Sequence, residues 1–262
     1  MSPSKSSTPA GENAEPKVSA ALTAFEEGDF HALSDPLSRD PQYNDRRLVL
    51  RRKLLGLAKV FAAAAKKDGL ALDVRTSLHH PHTFNGMTVR RMWASAFRAK
   101  AEKSRLKKTI GAELAKDLDS AHKNAHLCLA IENDALEISF RIHKEAWYDG
   151  QNLIKRVKAE GVSGWQDVLN QLDGYQLKLA DWKGEWPCGK LEPERIEEFL
   201  KYYTPGDHAL TVERRWPAMR GPIRDALCAE HVPEELVTEL KRLAPLYRYA
   251  AWSKESDFLF AG

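Results

Sequence analysis

Two neighbouring period-two runs, HLCLAI (126–131) and ALEISFRIH (135–143), are joined by three polar residues, Glu132, Asn133 and Asp134. Apolar residues at every second position make one face of a strand, and a short Asn/Asp link suits a reverse turn. The pair predicts an antiparallel hairpin. Leu136, Ile138, Phe140 and Ile142 turn toward a core, and Glu137, Ser139, Arg141 and His143 turn away from it. An isolated hairpin is barely stable in water, so this one has to belong to a wider sheet with one covered face.

Similar alternation runs over 70–78, with Leu70, Leu72, Val74, Thr76 and Leu78 on one side, and over 209–216, with Leu210, Val212, Arg214 and Trp216. The segment 87–98, MTVRRMWASAFR, fits a helix or a strand, and its β-branched and aromatic content favours strand. A further pair is expected at 175–182 and 185–191, where Pro187 and Gly189 confine the second arm to an edge. Helical spacing predicts a helix over 45–66, with Asp45 as N-cap and Gly69 just past its end. Others are expected at 101–118, where Leu106, Ile110, Leu114 and Leu118 step by four, and at 149–172, broken near Gly161 to Gly164. Asp149 and Ser163 are the candidate caps there. A helix follows from Pro193 to about Tyr203, and 222–253 is helical in two pieces divided near Val232–Pro233. Consecutive hairpins with helices between them give an α+β fold, a mostly antiparallel sheet with helices packed on it. Residues 1–17 read as a disordered tail. Residues 18–44 read as a partly ordered extension, with Val18, Leu22 and Phe25 at helical spacing before a loop containing Pro36 and Pro41. No Gly/Ser/Pro linker divides 45–262, which is expected to be a single domain.

Several functional classes lose support. No apolar run approaches the ~18 residues of a membrane-spanning helix, and the polar N-terminus lacks the apolar core of a secretion signal. Cys128, Cys188 and Cys228 are scattered without CxxC spacing, which argues against a disulfide framework or a cysteine zinc site. The expectation is a protein of the cytoplasm. There is no GxSxG and no GxxxxGK[ST] phosphate loop, and no cofactor is implied. His79, His80 and His82 share a loop, and His122 and His126 lie four apart, but neither spacing fixes a converging set of ligands. Glu132, Asp134 and Glu137, with Asp73, are the residue types of a magnesium-dependent nuclease, although turn chemistry explains most of them.

Charge supplies the functional lead. The net charge is only +3, yet residues 46–108 hold 17 Lys/Arg against three acidic residues, Asp68, Asp73 and Glu102. Such density repels itself unless acidic residues elsewhere, a polyanion or an acidic partner compensates. The sequence points to a non-catalytic nucleic-acid-binding or accessory protein, its DNA or RNA contacts coming from Arg46, Arg51, Arg52, Arg90, Arg91, Arg98, Lys103, Lys107 and Lys108. The cations from Lys100 to Lys108 are read as crowding a helix start, where the dipole disfavours them. The alternatives are an interaction module for an acidic protein or a second copy of the chain, and the nuclease.

Overall fold

In the computed structural model, which describes residues 22–82 and 85–260, seven strands form one sheet. They are β1 (Leu72–Thr76), β2 (Arg91–Arg98), β3 (His126–Glu132), β4 (Ala135–Ile142), β5 (Gln176–Leu179), β6 (Glu185–Pro187) and β7 (Leu210–Pro217). Every pairing is antiparallel, in the order β1-β2-β3-β4-β7-β5-β6. The central hairpin has Leu129 opposite Ile138 and Ala130 opposite Glu137. The last strand in sequence, β7, inserts between β4 and β5, so the sheet closes around a long-range pairing rather than growing by hairpins alone.

Period two assigns the faces. Met92, Ala94 and Ala96, Leu127, Leu129 and Ile131, Leu136, Ile138 and Phe140, and Leu210 and Val212 share one side and join a single buried cluster. Helices cover that side: α2 (Asn44–Lys67) lies across β1, β2 and β3, while α4 (Trp147–Glu160) and α8 (Val232–Arg242) contact β4. The short α9 (Ala244–Ala250) packs on β3. On α2 the seam is Leu50, Leu54, Leu57, Ala58, Phe61 and Ala65, spaced three and four apart. Small side chains at Ala94 and Ala96 leave room for it. The fold is α+β, as the alternation predicts.

Differences from the sequence reading have local causes. The helix α3 (Lys100–Ile110) stops well short of 118, because Gly111 takes φ +86° and the chain turns away. Leu114 is left on the surface. Lys107 and Lys108 therefore lie in the last turn of α3, where the dipole favours them. Asp45 is inside the first turn of α2 rather than its cap, while Gly69 follows the C-cap Asp68 as expected. Asp149 and Ser163 are likewise inside α4 and α5 (Ser163–Asn170), not at their N-caps. The helix α6 (Pro193–Tyr202) starts at its proline. The C-terminal region has three pieces, since α7 (Pro222–Leu227) precedes α8. Residues 1–17 and Val18 lie outside the described residues. In the segment that follows, around α1 (Glu27–His31), Phe25, Phe30 and Leu33 are buried in the core.

Candidate functional site

Most of the cations in 46–108 are held by the fold. On α2, Arg47 is fully buried and donates to the carbonyls of Ala32 (3.2 Å), Leu37 (3.0 Å), Asp40 (2.6 Å) and His79 (3.0 Å) and to Asn44 Oδ1 (2.7 Å). Lys53 is also buried, on Glu26 (3.0 Å) and Asp29 (2.8 Å). Arg46 pairs with the same two carboxylates, at 2.8 and 3.0 Å. The hydrogen bonds from Arg46 and Lys53 hold Glu26 at about 2. Arg51 donates to Thr76 Oγ1 (2.8 Å) and Arg90 pairs with Asp35 (2.9 Å).

Arg98 ends β2 inside the protein. Its guanidinium donates to Asn124 Oδ1 (2.7 Å), Asp149 Oδ1 (2.6 Å) and the Trp252 carbonyl (2.8 Å). Asp149 in turn accepts from the backbone N–H groups of Ala125 (2.6 Å) and Trp252 (2.8 Å). Lys103 is buried over the Phe97 ring and contacts Asp73 and Asp119, each at 2.6 Å. Of the nine residues singled out by sequence, Arg46, Arg90, Arg91, Arg98 and Lys103 thus face carboxylates inside the chain.

What remains is a smaller set. Arg52, Lys59, Lys66 and Lys67 on α2, Arg75 on β1, and Lys100, Lys107 and Lys108 on α3 are exposed and make no ion pair among the described residues. Arg52, Lys59 and Lys66 are seven apart, so they form one outward stripe on the helix. No acidic residue occurs between Arg46 and Lys67. Lys107 and Lys108 are on a different helix, whose Lys103 reaches the opposite side of the sheet. The structure does not gather the nine on one surface. The pairing partners come from distant parts of the chain, which is why composition alone could not separate held cations from free ones.

The sheet face opposite α2 carries a dense network of charge. Glu137, fully buried there, accepts from Arg91 (3.0 Å), Arg141 (2.6 Å) and Ser139 (2.7 Å) on one oxygen and from Arg215 (2.8 Å) on the other. Burial alone would raise its pKa, but Arg141 and Arg91 overcome that and hold it at about 2. Glu132 bridges Arg91 (3.2 Å) and Arg215 (2.7 Å). The carboxylates considered for a nuclease are therefore engaged by arginines, or by Lys103 for Asp73, while Asp134 is exposed at the turn. Among the described residues no group of three His, Cys, Asp or Glu side chains is placed to hold a metal ion. Burial lowers His126 to about 4 and raises the Cys128 thiol. Trp182 is exposed and stacked on Tyr202 at 4.4 Å, whereas Trp186 is buried.

No protein-family model matches the chain, and no curated protein matches it. Among the described residues no helix is long and apolar enough to cross a membrane.

Proposed function

We propose that the chain is a non-catalytic nucleic-acid-binding protein and that the contact is made by the outward stripe of α2: Arg52, Lys59 and Lys66, with Lys67 beside them. The observation that carries this reading is their exposure without a carboxylate partner among the described residues. The rise between successive members of the stripe is about 10.5 Å, so the cations are spread along one face of the helix rather than clustered at a point. Gly56 has open space around it and Ala63 is half-exposed, so the surface between the cations is low enough for a sugar–phosphate backbone to approach. Lys107, Lys108 and Arg75 would contribute long-range attraction rather than contacts. The three thiols are free, which suits a reducing compartment such as the cytoplasm.

Four phosphate contacts release counterions in proportion, giving a slope of about −3 to −4 for log K against log salt on duplex DNA. Anisotropy of a labelled 20-base-pair duplex and of a single strand, read across a salt series, tests this. Binding that ignores salt, or that persists unchanged in the Arg52→Gln/Lys59→Gln/Lys66→Gln variant, would overturn the assignment.

A further inference from the structure

The sheet face opposite α2 contains a hollow that the α2 stripe does not touch. Its shape follows from register. Ser95 on β2 stands opposite Cys128 on β3, so two small side chains share one row across the sheet. The rows on either side carry Trp93, and Phe97 with His126. A short row between tall ones leaves a depression, roofed by the turn Ala121–Lys123 and walled by Arg91 and Arg141. Its volume is about 250 Å³, just below the ~300–1,000 Å³ of sites for drug-sized molecules.

The lining contains two guanidiniums, a hydroxyl, a thiol, imidazoles and an indole, and no carboxylate. Glu137, Glu132 and Glu213 hold the arginines from the far side, through Arg91 Nη1 and Nη2 and Arg141 Nη2, while Arg141 Nε donates to Ser139 (2.9 Å). Arg91 Nε and Arg141 Nη1 make no hydrogen bond among the described residues. The forks are thus immobilised with donors left over, which is the arrangement that binds an anion without first ordering the side chains. His126 is kept neutral by burial, and the positive charge of Arg141 acts in the same direction.

We propose that this hollow binds a small organic carboxylate, its oxygens on Arg91 and Arg141 and its flat body against the Trp93 indole. Arg91, Arg141, Arg215 and Lys178 are already balanced in charge by Glu132, Glu137, Glu213 and Glu185. A single added negative charge is therefore favoured over a phosphate dianion, and the indole plane favours an unsaturated or aromatic body over a bulky aliphatic one.

The test uses the full chain, labelled with nitrogen-15 and titrated with benzoate, its neutral isostere benzamide and phenyl phosphate. The Trp93 indole N–H is assigned by its loss in Trp93→Phe. Benzoate should shift that signal saturably and benzamide should not, with phenyl phosphate binding more weakly than benzoate. Arg91→Lys or Arg141→Lys should weaken benzoate about tenfold, as expected for one charge-assisted hydrogen bond. Ser95→Val fills the floor without touching the ion network and should abolish the shift while the circular dichroism spectrum is unchanged; it decides the matter if the arginine variants do not fold. Equal responses to benzoate and benzamide, an unmoved Trp93, or Ser95→Val binding as wild type would overturn the site. Phenyl phosphate binding as tightly as benzoate would overturn the carboxylate. None of these variants alters the α2 stripe, so DNA binding should be the same in all of them.

Discussion

Arg98 and Asp149 form the most deeply buried ion pair among the described residues, at 2% and 0% side-chain exposure. Taking either out of solvent costs several kcal/mol, which their mutual contact and the hydrogen bonds to Asn124, the Trp252 carbonyl and the Ala125 and Trp252 N–H groups offset. Arg98→Ala would leave the buried Asp149 carboxyl with two backbone donors and no counter-charge. The expected loss is about 3–5 kcal/mol in urea unfolding; a loss below ~1 kcal/mol would mean that solvent reaches the carboxylate. Two other groups on the sheet make stability depend on pH in separate windows. Burial lowers His126 from 6.5 to about 4, so the unfolded chain takes up its proton first and stability falls as pH drops from 6.5 toward 4. Glu137 is depressed from 4.5 to about 2, so its contribution is complete above pH 4.5 and is lost as pH falls through that value toward 2. Denaturation midpoints measured from pH 8 to 2 should therefore show His126→Gln flattening the upper part of the acid limb and Glu137→Gln flattening the lower. A Glu137→Gln curve parallel to wild type below pH 4.5 would contradict the arginine grip.

At the scale of elements, α4 shows propensity yielding to packing. Gly150 lies within this helix, where alanine is ordinarily about 1 kcal/mol better. A Cβ there would be 2.8 Å from Pro205 Cβ and closer still to the Tyr203 hydroxyl. Gly150→Ala should lower the melting temperature, with a cost of about 1–3 kcal/mol from overpacking; a rise would show that the 203–205 segment gives way freely. The strands were legible because period two and edge prolines are properties of adjacent residues. The same residues fixed which sheet face would be apolar, and Arg214 with Trp216 fell on the expected side of β7. The end of α3 was not legible from leucine spacing, because Leu114 and Leu118 keep the step of four past a glycine whose backbone ends the helix. The burial of Phe25 and Phe30 was hidden for another reason: it depends on α2 and on Arg224, far along the chain, whose guanidinium covers Phe30 at 5.3 Å.

Across the whole molecule, many of the cations that crowd residues 46–108 meet carboxylates brought from elsewhere in the chain. Arg91 finds its glutamates 41 and 46 residues away, and Arg98 its aspartate 51 away. Such distances lie beyond any local pattern, so the number of cations could be counted in the sequence but their availability could not. This separates net charge from surface charge, and two variants with the same loss of three positive charges measure the difference. Arg52→Gln/Lys59→Gln/Lys66→Gln changes exposed side chains with no partner among the described residues, and should leave stability within about 0.5 kcal/mol. Its affinity for duplex DNA should fall and its salt slope should become shallower by about 3. Arg46→Gln/Arg90→Gln/Lys103→Gln removes partners of Asp29, which is fully buried, and of Asp73 and Asp35. It should lose about 2 kcal/mol or more of stability while its salt slope at a temperature where it is folded matches wild type. Equal losses of affinity in the two variants would mean that binding follows the total charge of the protein, and the α2 stripe would have no special part in it.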